Sequence, residues 1–217
     1  MIHFNLKKIF SLLIILISFK TIFAAYILIP MDQSQTNHLK AYGIAFLAIE
    51  NEINVNWLLN YKGGSFMIKS NDLIKNECVI RDVSYKIIAD LQSTSILQSI
   101  SSNEVNQEVI KLEKTPRIAI YSPKNKQPWD DAVTLALTYS EIPYDIIYDE
   151  EVLSNILPLY DWLHLHHEDF TGQYGKFYAA FKNVKWYKDQ KVLYENNAKN
   201  LGFKKVSQLK LAVAKKI

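Results

Sequence analysis

The chain has 217 residues, 49% hydrophobic and 22% charged, which suits one large domain or two small ones with an ample core. A single cysteine, Cys78, excludes an intrachain disulfide. The formal charge of +3 falls to zero once Lys7, Lys8 and Lys20 of the amino-terminal leader are set aside, which removes the electrostatic support for nucleic-acid binding.

The leader covers residues 1–24. Lys7 and Lys8 precede a run over residues 9–19 that is apolar except for Ser11 and Ser18, and Ala24 and Ala25 form a small-residue exit. This is the pattern of a secretory signal peptide cut after Ala24. Lys20 interrupts the run before it reaches the roughly 18–20 apolar residues of a membrane span. The expected address is outside the cytoplasm, in the periplasm or cell envelope.

A first α/β unit is expected over residues 25–112. Residues 26–30 form a short apolar strand that leads into a polar exit with Asp32, Gln35 and His38. Leu39, Tyr42, Gly43, Ala45, Phe46 and Ile49 give a helical period over residues 36–51. A strand over 55–59 opens into Asn60-Tyr61-Lys62-Gly63-Gly64-Ser65-Phe66, whose glycines permit a tight turn or a close approach of backbone to a ligand. Asn71 or Asp72 caps a helix through residue 81, where Cys78 reads as core packing. A strand over 83–89, a helix over 92–100 and a weakly helical connector over 104–112 complete the unit.

A second unit is expected over residues 113–181. It starts with an apolar strand at 117–121, and Pro128 stands at the first position of a helix carrying Trp129, Val133, Leu135, Ala136 and Tyr139. Asp130 and Asp131 suit that helix start through the helix dipole. A strand over 144–148, a short helix over 149–153 and a strand from Tyr160 follow. Strand, polar loop, helix and strand thus occur twice, as αβ units do. Residues 182–217 read as a basic helical tail with ten lysines against Asp189 and Glu195, a balance of +8. Its stripe of Phe203, Val206, Leu209 and Val213 is narrow. A solvated lysine face is the plain reading, and a membrane or protein contact is the sharper one.

Apolar strands alternating with helices predict a mostly parallel sheet covered on both faces. Such sheets bind ligands beyond the carboxyl ends of their strands. Asp32, Gln35, His38, Gly63, Gly64, Trp129, Asp130 and Asp131 are therefore candidate ligand-binding residues beside the stretch His164-Leu165-His166-His167-Glu168-Asp169. In an extended strand His164 and His166 share a face, with Leu163, Leu165 and His167 opposite. His164, His166 and Glu168 could hold zinc or another divalent metal, the imidazole nitrogens at about 2.0–2.1 Å. Without metal, a histidine beside a carboxylate serves as general acid and base, so His164, His166, His167, Glu168 and Asp169 are the candidate catalytic set. Binding of a small molecule, sugar or peptide without turnover, and a purely structural role, stand beside these readings.

Several stretches resemble an exported bacterial family commonly labelled "asparagine synthetase B". They are Ile29-Pro30-Met31-Asp32, Gln35-Thr36-Asn37-His38, Trp57-Leu58-Leu59-Asn60-Tyr61-Lys62-Gly63-Gly64, Gln127-Pro128-Trp129-Asp130-Asp131 and His166-His167-Glu168-Asp169-Phe170-Thr171-Gly172-Gln173. The last of these adds Gln173 to the candidate ligand-binding set. Members of that family are longer, so the chain resembles an amino-terminal portion or a shortened relative. The second unit resembles class I glutamine amidotransferase-like domains. The fold this implies is a three-layer α/β sandwich with a mostly parallel sheet, amidotransferase-like or flavodoxin-like, followed by the helical tail. The label also implies amidotransferase-type activity, which the residues do not support. No cysteine follows Met1 or the leader exit, no Ser-Gly-Gly-x-Asp loop is present, and Cys78 lacks the flanking glycines of a nucleophile elbow. The expectation is an exported protein that hydrolyses or binds a small molecule, sugar or peptide at the 164–169 edge.

Overall fold

The connector between residues 59 and 65 decides the architecture of the first half. Strand β2 (Val55–Leu59) is followed almost at once by β3 (Ser65–Lys69). A link this short joins antiparallel neighbours, whereas a parallel pair needs a crossover of about a dozen residues or more. The link is a 3-10 turn at Tyr61–Gly63, in which Asn60, Lys62, Gly63 and Gly64 all take positive φ. The computed structural model describes residues 25–102, 106–123, 131–165 and 180–217, in two units that divide after Glu113.

The first unit corrects the expected parallel sheet. β1 (Ala25–Ile29) pairs antiparallel with β3 and with β4 (Lys86–Ala89), and β2 pairs antiparallel with β3 and with β5 (Glu108–Leu112). The order is β4-β1-β3-β2-β5. β3 begins at Ser65 and Phe66, read as the end of a glycine loop, and β5 forms from the connector read as weakly helical. Side chains alternate across the sheet. Ile27, Ile29, Phe66 and Ile68 meet Ala41, Ile44 and Ala48 of α1 (His38–Glu50) and Ile74 and Cys78 of α2 (Asp72–Ile80). On the other face Leu28, Leu58, Met67 and Ile88 meet Ile96 and Ile100 of α3 (Asp90–Ile100). Asn37 and Asn71 cap α1 and α2 by accepting the amides of Lys40 and Leu73.

The second unit has the parallel sheet. β6 (Ile118–Tyr121) lies between β7 (Asp145–Ile147) and β8 (Trp162–Leu165), parallel to both. Ile118 and Ile120 pack against Leu137 of α4 (Ala132–Ser140). Ala119 and Tyr121 point the other way, into a cluster with Val152 of α5 (Asp149–Leu153), Ala198 of α6 (Lys185–Asn200), and Leu209 and Val213 of α7 (Val206–Ala214). Helices therefore cover both faces of this sheet. The lysine-rich segment is part of the unit: Phe203, Val206, Leu209 and Val213, the narrow stripe, pack into its core. The helix expected to begin at Pro128 begins at Ala132, because the Asp131 side chain accepts the Thr134 amide and so sets the cap. The two strand–helix–strand echoes also differ, one unit's sheet being antiparallel and the other's parallel. Among the described residues no helix is long and apolar enough to cross a membrane.

Candidate functional site

In the first unit the candidate residues gather around the backbone of residues 30–32. β1 and β2 both run antiparallel to the β3 strand between them, so their carboxyl ends share an edge. Gln35 is buried, donates its Nε2 to the Pro30 carbonyl at 2.9 Å and to the Ser84 carbonyl at 3.2 Å, and accepts the Ser84 amide at 2.9 Å. His38 Nε2 lies 3.1 Å from the Met31 carbonyl and 3.2 Å from that of Asp32. Asp32 accepts the Ser34 hydroxyl at 2.6 Å and the Ser34 amide at 3.0 Å, and these bonds hold its carboxyl below the usual carboxylate range.

Gly63 makes a close approach to the protein's own backbone, and Gly64 lies against the Trp57 indole. A Cβ on Gly63, at φ +78, would lie 2.6 Å from the Met31 carbonyl carbon. Gly63→Ala is therefore expected to destabilise the first unit by about 2–3 kcal/mol, read by urea unfolding. A cost under about 0.5 kcal/mol would mean that the turn relaxes freely. Gln35→Ala leaves the Ser84 amide and two carbonyls without this partner, and should cost about 2 kcal/mol in the same measurement.

In the second unit the strand order places the first strand between the second and the third. Sheets of this order bind ligands in the crevice at the carboxyl ends of the first and third strands, here β6 and β8. His164 sits opposite Ile120 in the β8–β6 register, on the α4 face. Its Nε2 is 3.1 Å from each carboxylate oxygen of Asp131, which follows β6 and caps α4. Both side chains are largely buried, His164 at 20% and Asp131 at 11% exposure. Burial alone would raise the Asp131 pKa. The hydroxyl and amide of Thr134, both 2.7 Å away, together with His164, outweigh it and hold the carboxyl well below the carboxylate range. An ionised carboxylate only accepts hydrogen bonds, so His164 Nε2 carries the proton. Among the described residues His164 Nδ1 has no partner.

Asp131 ties stability to acid. Its folded pKa is depressed below the unfolded value, so the unfolded chain binds the proton more readily. The contribution is complete above the unfolded carboxylate pKa of about 3.9 and is lost as pH falls below it. Between pH 5 and pH 3 the second unit of wild type should lose more stability than that of Asp131→Asn. Equal slopes for the two proteins would contradict this.

No family model, curated protein or solved structure matches the chain.

Sequence reading missed a second polar cluster on the opposite face of the β6 sheet. Asp149 is 1% exposed and accepts the Tyr121 hydroxyl. It also accepts Asn197 Nδ2 at 2.9 Å and the Lys210 ammonium at 3.1 Å. Lys210 donates further to Tyr121 at 3.0 Å and Tyr148 at 2.9 Å, and stands 4.3 Å from the Tyr148 ring centroid. The available signal was a lysine inside the apolar stripe of Val206, Leu209 and Val213, together with a carboxylate placed just after β7.

His166, His167, Glu168, Asp169, Trp129, Asp130 and Gln173 lie outside the described residues. Among the described residues no group of three His, Cys, Asp or Glu side chains is placed to hold a metal ion. Cys78 is 0% exposed, and burial pushes its thiol up to about 12, so it stays protonated at neutral pH.

Proposed function

We propose that the chain is an exported α/β protein whose second unit binds and hydrolyses a small polar molecule, sugar or peptide at the carboxyl edge of β6 and β8. The observation that carries this reading is the Asp131–His164 pair, His164 on β8 and Asp131 in the segment after β6. His164 Nδ1 accepts a proton from a water as that water attacks an acyl carbon, and the imidazolium then returns the proton to the leaving group. Asp131 orients the ring through Nε2–H and stabilises the imidazolium. The order β7-β6-β8 and the helices on both faces support a three-layer assignment of amidotransferase-like or flavodoxin-like type for this unit. The leader composition of residues 1–24 supports export. Glutaminase chemistry is not part of the proposal, since Cys78 is buried and in the first unit.

The test is hydrolysis of acyl-ester and acyl-amide probes by the full chain, beginning with p-nitrophenyl acetate. His164→Ala should lower the protein-dependent rate by about 100-fold or more. A folded His164→Ala protein that retains the wild-type rate would remove the catalytic reading and leave binding.

A further inference from the structure

The cap of α4 carries one hydrogen bond more than a cap needs. A helix start is closed when the capping side chain accepts an amide of the first turn, and Asp131 does this through the Thr134 amide at 2.7 Å. The Thr134 hydroxyl donates to the same carboxylate oxygen, Oδ2, also at 2.7 Å. In the common reciprocal cap this third helical position holds glutamate or glutamine, whose side chain reaches back to the backbone amide of the cap residue. Here the side chain returns to the cap carboxylate, a bond that gives no helix amide a partner. Threonine is also a poorer helix former than either of those residues.

The carboxylate so held is the one that His164 faces. Nε2 stands 3.1 Å from each of its oxygens, an even approach that depends on where the carboxylate plane lies. A carboxylate turns readily about its last side-chain bond, for which the torsional preference is broad. A single amide at Oδ2 leaves that turn open. A second donor on the same oxygen restrains it, and it does so in a buried setting, with Asp131 8% and Thr134 5% exposed. A buried hydroxyl also seeks an acceptor for its own sake, so the bond alone does not separate the two roles.

We propose that Thr134 is a positioning residue for the His164–Asp131 pair. Its hydroxyl fixes the Asp131 carboxylate in the orientation that receives Nε2–H and so keeps His164 Nδ1 as the base. The effect on rate rests on the hydrolytic reading of the pair, whereas the orientation is measured without turnover. Thr134→Val removes the hydroxyl and keeps the amide and nearly the same volume, and Thr134→Ser keeps the hydroxyl. By long-range proton–nitrogen NMR on the full chain, Thr134→Val should move the His164 Nε2 signal and Thr134→Ser should leave it at the wild-type position. With p-nitrophenyl acetate Thr134→Val should lower kcat about three- to tenfold at unchanged KM, and Thr134→Ser should retain most of the wild-type rate. Amide signals of residues 136–140 at wild-type positions show that the helix persists in both variants. An Nε2 signal unmoved in Thr134→Val would overturn the proposal and leave the hydroxyl as a buried group that satisfies itself. So would a serine variant that behaves as the valine one. A wild-type chain without hydrolysis would remove the catalytic reading, and the Nε2 signal would still decide the positioning role.

Discussion

Lys210→Ala is expected to destabilise the second unit by about 3–5 kcal/mol, the cost of leaving a buried carboxylate without its counter-charge. Asp149 is 1% exposed, and the Lys210 side chain is 15% exposed. Tyr121 and Asn197 would still donate to Asp149, but neither carries charge. Lys210 is on α7, Asn197 on α6, Asp149 at the start of α5 and Tyr121 on β6, so the cluster ties three helices to the sheet. Hydrogen exchange should show the loss first in the amides of α7. Pairing Lys210→Met with Asp149→Asn removes both charges, and the double variant should be less destabilised than the sum of its parts by about 1–3 kcal/mol. Simple additivity would mean that the lysine acts through its hydrocarbon stem and not through its charge.

Asp131→Asn is expected to lower hydrolysis about 10²–10⁴-fold while leaving the fold in place. Asparagine caps helices about as well as aspartate, so the Thr134 amide keeps its partner and the stability cost at pH 7 should stay near 1 kcal/mol. The change falls on His164. An asparagine side-chain nitrogen facing Nε2 donates a hydrogen bond, so the ring shifts its proton to Nδ1 and loses the lone pair that would take a proton from water. Loss of rate with a retained melting temperature separates this role from capping. An unchanged rate would reduce Asp131 to a helix cap.

The helices of the first unit were legible because their signals are local. Asn37 and Asn71 stand directly before apolar periods, and each accepts an amide in its first turn. The sheet direction was misread, although the residues carried a clue. Asn60 to Gly64 is too short for a crossover, and Phe66-Met67-Ile68 after it is an apolar run. The glycines drew the reading toward a loop and a ligand, whereas Gly63 meets the Met31 backbone. Residues 108–112 mix Val109 and Ile110 with helix-favouring Glu108, Lys111 and Leu112, so local propensity was divided and pairing with β2 decided the strand.

The site was legible in its parts and not in its pairing. His164 and Asp131 were both named as candidates from residue type and position. Their 33-residue separation gives no spacing signal, and only the parallel pairing of β8 with β6 brings them together. The Asp149–Lys210 contact spans 61 residues and was hidden for the same reason. Local pattern shows which side chains are chemically able, and sheet topology selects the ones that meet.

The most direct measurement is the imidazole tautomer of His164 in the wild-type chain, read from its two ring-nitrogen chemical shifts by long-range proton–nitrogen NMR. The Asp131 carboxylate at 3.1 Å requires the neutral ring to carry its proton on Nε2, with Nδ1 unprotonated and available as a base. That pattern is the predicted result. A neutral ring protonated on Nδ1 would contradict the account, because Asp131 would then not be the group that orients His164.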